Sequence, residues 1–364
     1  MSSQNLVPFR ITSVDSLGQG VSKITDKVTF IPKTLPGEEG KALLTAEKSK
    51  IAFAQLGQLT SASARRTPAA CEHYEQCSGC HYLHTDYSFE LELKQQAMMG
   101  LFRHYPDLKP QVIASPQRLG YRNRIQLHYD TARQKLGLLN SRSLDILEIP
   151  HCQIAKPEVA QLMRELYHEQ KWLKLAPTAI ERGHVELYFH QNEVKLNWNR
   201  PYAQGGFTQV HAEMNTKLKE QMRTITSQIK PRFILDLFAG DGNLSNDLPF
   251  QQRLCVDMYQ KPMPSDFFSL NLYGKNALKA VAQKLKKSSV DLLILDPPRS
   301  GLKNLVAWLE MSQPQYIIYV SCDPHTQVRD ISQLPGYQIK QSFLLDLFPA
   351  TFHFETMLLL ERKN

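Results

Sequence analysis

The sequence predicts an α/β protein whose C-terminal part is a doubly wound parallel sheet with an antiparallel edge strand. From residue 206 onward, short apolar runs typical of buried strands alternate with stretches at helical spacing, which is the rhythm of consecutive βαβ units. Before that, residues 6–61 alternate apolar and polar positions in short runs separated by glycines, a pattern typical of a small antiparallel barrel. At 364 residues and 42% hydrophobic content, the chain is long enough for several domains.

Three domains are predicted along the chain. Residues 1–64 form the barrel, residues 65–205 hold a cysteine-rich segment and a mixed α+β domain, and residues 206–364 form the α/β domain. Helices are predicted near residues 87–102 and 156–170, where apolar and charged positions recur at helical spacing. Apolar runs in the α/β domain predict strands at residues 233–238, 253–257, 291–296, 316–321 and 357–360.

Charge and hydropathy limit the class of function. The net charge of +8 and pI near 9.0 suit a polyanionic partner, as do arginines placed close to aromatic residues, such as Arg122 and Arg124 beside Tyr121. The chain has no long apolar run and no basic, apolar leader, so we expect a soluble cytoplasmic protein without a membrane anchor or an obligate protein partner. Six cysteines in such a protein indicate ligands, nucleophiles or core thiols rather than disulfides.

A glycine turn follows the first predicted strand of the α/β domain. Asp236 lies near the end of that strand, and Gly240 and Gly242 form a Gly-x-Gly turn that is expected to open a helix. A dinucleotide site is the alternative, but the third glycine of that pattern is missing, because Ser245 and Asn246 occupy the region. The pattern therefore favours S-adenosylmethionine over a dinucleotide.

Polar residues at the next strand ends complete this predicted site. Asp257 ends the second strand, where a carboxylate can accept hydrogen bonds from two ribose hydroxyls. Asn271 is placed to contact the adenine if residues 268–272 include the third strand, with an exposed loop asparagine as the alternative. Asp296 ends the fourth strand and is followed by Pro297, Pro298 and Arg299; methyltransferases of amino groups have an aromatic residue where Arg299 stands.

A lone thiol and a carboxyl group suggest covalent catalysis. Cys322 follows the predicted strand at 316–321, and Glu355 lies among the aromatic and apolar residues of 348–355, where its pKa could be raised. A core thiol and a surface carboxylate are the alternatives for each residue taken alone. A reactive thiolate needs a depressed pKa, for which Arg329 or a helix beginning at Asp323 and Pro324 is the expected source.

A cysteine-rich segment points to a metal site. Cys71, Cys77 and Cys80 lie close together in a polar loop, and Cys152 lies farther along the chain. Four thiolates can hold an iron–sulfur cluster or a structural zinc. Because zinc ribbons usually pair two Cys-x2-Cys elements and only one is present, the spacing favours iron–sulfur. His73, His81 and His84 are alternative ligands, although loop histidines are common.

Taken in their order along the chain, these motifs resemble the RNA uracil-5-methyltransferases. The resemblance rests on the four cysteines, Asp236-Leu237-Phe238, Asp296-Pro297-Pro298-Arg299, Ser321-Cys322-Asp323-Pro324 and His353-x-Glu355. It implies a Rossmann-like class I methyltransferase domain and an N-terminal TRAM domain, which is an OB-like RNA-binding barrel. Members with such a barrel typically modify ribosomal RNA, so the resemblance implies 23S rRNA as the substrate, with a transfer RNA T-loop uridine as the alternative.

The resemblance also implies roles for individual residues. Cys322 would be the nucleophile that adds to C6 of uracil, Glu355 the base, and Cys71, Cys77, Cys80 and Cys152 the ligands of a 4Fe-4S cluster. S-adenosylmethionine would be contacted by Gln209, Phe238, Asn243, Asp257, Asn271 and Asp296.

Two departures from the family pattern affect the predicted cofactor site. His211 stands where the family usually has asparagine, and only 13 residues separate Asp257 from Asn271. This gap is too short for the helix that the family normally has between the strands, which predicts weakened cofactor affinity. An RNA-binding iron–sulfur protein with impaired catalysis is the alternative of a different class.

Overall fold

A computed structural model describes residues 6–24, 26–140, 143–202, 209–258, 264–286 and 288–363. The chain divides into two compact units, each assembled from separate stretches. The first unit comprises Met1–Ala97, Pro116–Ala212 and Phe348–His353, and the second comprises Met98–Ser115, Glu213–Leu347 and Phe354–Asn364. The division into domains at 1–64, 65–205 and 206–364 stays a prediction, and its second boundary lies outside the described residues.

The strands are, in chain order, β1 (Leu6–Arg10), β2 (Ser13–Val14), β3 (Gln19–Ile24), β4 (Lys27–Pro32), β5 (Glu39–Glu47), β6 (Ile51–Ser61), β7 (Gln111–Ile113), β8 (Arg124–Asp130), β9 (Lys135–Leu139), β10 (Ile146–Leu147), β11 (Arg182–His190), β12 (Glu193–Trp198), β13 (Phe233–Leu237), β14 (Gln252–Asp257), β15 (Phe267–Ser269), β16 (Leu292–Leu295), β17 (Tyr316–Ser321), β18 (Tyr337–Leu345) and β19 (Glu355–Arg362). The helices are α1 (Tyr87–Leu101), α2 (Pro157–Tyr167), α3 (Lys171–Leu175), α4 (Ala212–Ile229), α5 (Ala277–Leu285), α6 (Leu305–Ser312) and α7 (Pro324–Ile331), with a 3-10 turn at His168–Gln170.

The first unit contains two sheets. Strands β1 to β6 form one sheet in the order β1-β5-β6-β4-β3-β2, and its core is apolar residues from alternate positions, including Phe9, Ile11 and Ile31. The predicted purely antiparallel pairing is wrong at one place, because β4 pairs with β6 in parallel. The second sheet, β10-β9-β8-β11-β12, is antiparallel throughout and packs one apolar face around Trp172 and the buried side of α2.

The second unit is built on one eight-stranded sheet. Its order is β15-β14-β13-β16-β17-β19-β18-β7, with parallel pairing from β15 to β17. Strand β19 runs antiparallel to β17 and β18, so its first residue lies at the same edge as the carboxyl end of β17. In open α/β sheets this edge is where ligands bind.

Three expectations about this sheet need correction. The antiparallel strand near 357–360 exists, but β18 and β7 extend the sheet beyond it. Strand β18 escaped prediction because its first half is polar and half-exposed, without a clear alternation of apolar positions. The glycine turn opens no helix: residues 241–247 form successive turns, and Pro249, which cannot continue a helix, follows them.

Candidate active site and cysteine-lined cavity

Three aspartates meet at the carboxyl edge of the second unit's sheet. Asp236, Asp257 and Asp296 lie at the ends of β13, β14 and β16, which are neighbouring parallel strands. Burial raises the pKa of Asp236 to about 7, although a hydrogen bond from Ser245 opposes the shift. Burial, together with the charges of Asp236 and Asp257, also raises the pKa of Asp296 to about 7. Ionised carboxylates at this edge therefore repel one another, and a cationic ligand would favour their ionised form.

The glycine turn is bonded directly to one of these carboxylates. Asp257 Oδ2 accepts a hydrogen bond from the Gly240 amide at 2.7 Å, and Oδ1 accepts one from the Met258 amide at 2.5 Å. Gly242 has φ +83°, and a Cβ there would lie 2.3 Å from the Asn246 side-chain oxygen. Glycine is therefore required at Gly242, because a side chain would both strain the backbone and collide. The turn keeps a fixed shape beside Asp257.

Phe238 begins this turn in a conformation that is rare for a residue with a side chain. Its φ is +63°, in the left-handed region, and its amide donates to the Val256 carbonyl at 2.9 Å. Its ring is half-buried and lies 5.6 Å from the ring of Tyr273, centroid to centroid. Strained backbone of this kind is concentrated at functional sites, and here it exposes an aromatic face beside the aspartates.

The two asparagines predicted to contact the cofactor have different environments. Asn243 exchanges hydrogen bonds with Asn215 of α4, since each amide nitrogen donates to the other's oxygen at 2.9 and 3.0 Å. Asn271 is exposed, and its side-chain oxygen accepts a hydrogen bond from the Tyr273 amide at 3.0 Å. It lies outside β15, two residues after its end, in the position of the exposed loop asparagine that was the alternative, and its contact with adenine stays a prediction.

Gln209 belongs to the first unit, whereas the other five predicted cofactor contacts belong to the second. Its backbone carbonyl accepts a hydrogen bond from the side-chain amide of Asn123 at 3.2 Å. The contact of Gln209 with the cofactor stays a prediction.

Strand pairing brings Cys322 and Glu355 together. In the antiparallel ladder of β17 and β19, Ser321 lies opposite Thr356. Cys322 comes directly after Ser321, and Glu355 directly before Thr356, so both lie at the same end of the ladder. The Thr356 hydroxyl is 3.0 Å from the Ser321 carbonyl oxygen and 2.8 Å from Gln327 Oε1, both of them acceptors. Asp323 caps α7, and its carboxylate accepts a hydrogen bond from the Thr326 amide. These contacts fix the backbone on both sides of the pair.

The electrostatics of the pair differ from the expectation. Burial, and next the charges of Glu355 and Asp296, raise the pKa of Cys322. Arg299 opposes the shift through its charge and a hydrogen bond, and the resulting pKa is about 12. Burial, and next the charge of Asp296, raise the pKa of Glu355 well above its usual range, and Arg299 again opposes the shift. The predicted depressed pKa of the thiol is therefore wrong.

The cation that faces the thiol is Arg299, not Arg329. The guanidinium of Arg329 forms an ion pair with Asp330 at 2.6 Å and donates to the Ser300 carbonyl at 3.0 Å. Arg299 follows two prolines after β16. From the sequence, this position was interpreted only as lacking the aromatic residue that amino-group methyltransferases have there. Its place three residues after Asp296, at the end of a strand next to β17, could have indicated its role.

The four cysteines predicted as metal ligands line one cavity in the first unit. Cys71, Cys77, Cys80 and Cys152 share a space of about 330 Å³, counted with the solvent at its mouth, together with His73 and His151. All four are free thiols. Burial raises the pKa of Cys77, Cys80 and Cys152, and the neighbouring thiols raise it further. Within the described ranges, no group of three or more His, Cys, Asp or Glu side chains is spaced to bind a single metal ion.

The other predicted ligands are placed elsewhere. His81 and His84 do not line the cavity. His84 Nδ1 is hydrogen-bonded to the Tyr74 hydroxyl at 2.6 Å, and the ring of His81 packs on Phe352 at 4.6 Å. Burial lowers the pKa of both histidines to about 3, so they are neutral core groups.

A short loop that precedes Glu355 in the chain is part of the cysteine-containing unit. The Ala350 carbonyl accepts hydrogen bonds from the amides of His81 and Tyr82, at 2.7 and 3.0 Å. The Ala350 amide donates to Glu90, a buried carboxylate that also pairs with Lys94 and Arg118 at 2.8 and 2.9 Å. This buried network fixes Phe348–His353 against the segment that follows Cys80.

Several arginines that the sequence offered as contacts to a polyanion are paired inside the protein. Arg124 forms an ion pair at 2.7 Å with the fully buried Glu186 and stacks on the ring of Tyr188. Arg65 and Arg66 pair with Asp86 and Glu38 at 2.9 and 2.5 Å. The expectation that Arg124 holds an RNA strand is therefore wrong, because its charge compensates a core carboxylate.

Sequence and structure comparisons place these features in a family context. A family model described as tRNA (Uracil-5-)-methyltransferase matches residues 261–363. A 23S rRNA (uracil(1939)-C(5))-methyltransferase of Shewanella woodyi is 26% identical, covering 98% of this chain and 96% of the relative. The protein of the same name from Marinomonas sp. is 28% identical, covering 99% and 97%. Among the described residues, no helix is long and apolar enough to cross a membrane.

The fold is also similar to a crystal structure. The tRNA (uracil-54, C5)-methyltransferase of Pyrococcus abyssi, solved with S-adenosyl-L-homocysteine, superposes with a TM-score of 0.66 at 20% sequence identity. The match covers 96% of this chain and 99% of the other. At this identity the likeness establishes the fold.

Proposed function

We propose that this chain, which belongs to the RNA uracil-5-methyltransferase family, transfers a methyl group from S-adenosylmethionine to C5 of a uridine in 23S ribosomal RNA. The substrate is supported by curated relatives of that name that align over nearly the full length of the chain. One observation carries the chemistry: Cys322 and Glu355 lie beside each other at the carboxyl edge of the sheet, next to Asp296.

The acidic edge fits the cofactor. S-adenosylmethionine supplies a methyl group made electrophilic by a positively charged sulfonium. Burial and the charges of neighbouring aspartates raise the pKa of Asp236 and Asp296, so a positive charge placed there relieves the repulsion. Phe238 offers an aromatic surface, and Asp257 and Asn271 offer oxygen acceptors at neighbouring strand ends. We assign these residues, with Gln209 and Asn243, to cofactor binding.

Cys322 acts as the nucleophile in this proposal. Its thiol loses its proton to solvent, the sulfur adds to C6 of uracil, and the C5=C6 electron pair moves onto C5 and the O4 enolate. C5 then takes the methyl group as the sulfonium S–CH3 bond breaks, which leaves S-adenosylhomocysteine. The pKa of about 12 means that the thiol is protonated in the free protein. Arg299 is the described cation that stabilises the thiolate, and a bound cationic cofactor adds to its effect.

Glu355 acts as the base that completes the reaction. It takes the C5 proton, the electron pair of that C–H bond re-forms C5=C6, and the C6–S bond breaks to return Cys322 as a thiolate. A raised pKa suits this step, because a carboxylate in a buried site is a stronger base than one in water. The uracil must be unpaired or flipped out of its helix to reach both groups.

The cysteine cavity fits a 4Fe-4S cluster better than a zinc ion. The support is that four cysteines line one space, since four thiolates are the usual ligand set of such a cluster, and that the chain has only one Cys-x2-Cys element, whereas zinc ribbons usually pair two. Cys71, Cys77, Cys80 and Cys152 would hold it. The cluster would compensate the repulsion that raises the pKa of these thiols and would stabilise the cysteine-containing segment that anchors Ala350.

The test is nucleoside mass spectrometry of ribosomal and transfer RNA, isolated from cells with and without this chain. We expect 5-methyluridine to disappear from the large ribosomal RNA alone. Transfer RNA is the second candidate, favoured by the family model and by the P. abyssi structure. Loss of 5-methyluridine from transfer RNA would keep the mechanism and replace the substrate, and no loss in either RNA would refute the proposal.

A further inference from the structure

Tyr273 follows an unusually short connection between two parallel strands, β14 and β15. The connection from β14 to β15 runs from residue 258 to 266, and none of its described residues is helical. A parallel crossover normally takes a dozen or more residues and includes a helix. The match with the S. woodyi relative extends over 431 residues, whereas this chain has 364, so the relative contains segments that this chain lacks. Nine residues therefore leave little chain between β14 and β15 near Asp257 and Asn271.

Tyr273 contacts that side from two directions. Its ring lies 5.6 Å from the Phe238 ring, tilted by 47°, and 40% of the residue is exposed. Its hydroxyl donates to the Gly301 carbonyl at 2.8 Å. The side chain therefore connects the aromatic face at the end of β13 to the loop that follows Asp296.

That loop is held at three successive carbonyl groups. The Thr326 hydroxyl donates to the Arg299 carbonyl at 2.8 Å, the Arg329 guanidinium to the Ser300 carbonyl at 3.0 Å, and Tyr273 to Gly301. The first two donors come from α7, the helix that follows Cys322. Tyr273 is the anchor from the cofactor side. Arg299 is exposed along its side chain, so these backbone bonds, with its contact to Cys322, determine where its guanidinium lies.

We propose that Tyr273 is a positioning residue that closes the cofactor side of the site with its ring and holds Arg299 against Cys322 with its hydroxyl. The inference rests on the proposed function for the identity of the cofactor. The two roles separate chemically, because Phe at this position keeps the ring and removes only the contacts of the hydroxyl, which are the hydrogen bond to the Gly301 carbonyl and one with the Ser300 hydroxyl at 3.1 Å. A cofactor that packs on Phe238 would then meet a second aromatic face supplied by the segment after β15.

Two measurements on the full chain test the two roles. The first is the rate at which iodoacetamide alkylates Cys322 as a function of pH, followed by mass spectrometry of its peptide without any ligand. Tyr273→Phe should slow alkylation about fivefold below the thiol pKa, the effect of one hydrogen bond, in the same direction as Arg299→Gln. The second is the dissociation constant of S-adenosylhomocysteine. It should rise about fivefold in Tyr273→Ala and stay within about twofold of wild type in Tyr273→Phe.

Tyr337→Phe is the matched control. Tyr337 also donates its hydroxyl to a carbonyl, that of Pro314, at 2.7 Å, and it lies at the start of β18; its variant should keep the wild-type alkylation profile. A wild-type profile in Tyr273→Phe, or wild-type ligand affinity in Tyr273→Ala, would overturn the proposal. Failure of the wild-type chain to bind S-adenosylhomocysteine would instead refute the proposed cofactor. The alkylation measurement needs no ligand and decides the role of the hydroxyl in either case.

Discussion

The two cysteine sites of this chain place the same functional group in opposite settings. In the first unit, four thiols line one cavity, and burial together with neighbouring thiols raises the pKa of Cys77, Cys80 and Cys152. In the second unit, a single thiol faces two carboxyl groups and one arginine. Both arrangements disfavour the thiolate in the free protein. Under the proposed function, a 4Fe-4S cluster would relieve the first arrangement and the cationic S-adenosylmethionine the second. The first ligand would then stabilise the fold, and the second would make the thiol reactive.

The largest expected effect is the loss of methyl transfer when Cys322 is replaced, with no change at the cysteine cavity. Cys322→Ala should lower methyl transfer by at least about a thousandfold, because no other group can form the bond to C6, while visible absorption and iron content stay unchanged. Cys255→Ala is the control, since Cys255 is a buried thiol in β14 and its variant should keep most of the activity. Methylation by Cys322→Ala at the wild-type rate, measured with radiolabelled cofactor, would show that Cys322 is not the nucleophile.

Replacing a cysteine of the cavity should chiefly affect binding of the proposed cluster. Cys77→Ser removes one thiol from the cavity, so we expect iron content and visible absorption to fall and the melting temperature to drop with them. Because Ala350 is bonded to the segment after Cys80, proteolysis near residues 348–353 should also become faster. A Cys77→Ser protein with full iron content would contradict the assignment of these ligands.

The pH dependence of cofactor binding sharpens the contrast. Asp296, with a pKa of about 7, is half protonated near neutral pH in the free protein, and a cationic ligand favours its ionised form. Binding should therefore release a proton, and affinity for S-adenosylmethionine should rise about tenfold from pH 6 to pH 8. Calorimetry in buffers of different ionisation enthalpy measures the release. Asp296→Asn should weaken the dependence and leave the part that Asp236 contributes, since its pKa is also about 7. Proton uptake in the wild type would contradict the account.

The smallest effect concerns the arginine. Arg299→Gln removes the described cation that lowers the pKa of Cys322, so alkylation of the thiol at pH 8 should slow by about three- to tenfold. Arg232→Gln is the matched control, because Arg232 is exposed, precedes β13 and pairs with Asp291, away from the loop that holds Arg299. Equal rates in both variants would show that Arg299 does not act on the thiol.

Sequence patterns predicted the positions of the chemistry better than its electrostatics. The antiparallel final strand was predicted, and with it the meeting of Cys322 and Glu355, because β19 begins where β17 ends. The raised pKa of Cys322 depends on burial and on Asp296, a residue 26 positions earlier, which no local pattern reports. Arg124 was misread for a similar reason, since its partner Glu186 lies on another strand.

The covalent adduct between protein and RNA tests the central claim, the division of labour between Cys322 and Glu355. With Glu355→Gln, substrate RNA and S-adenosylmethionine, addition and methylation should proceed, but the C5 proton should stay. Gel mobility and intact-mass measurements should then show a methylated adduct, which disappears in the Cys322→Ala, Glu355→Gln double variant. Normal turnover by Glu355→Gln without an adduct, or an adduct that persists in the double variant, would contradict the account.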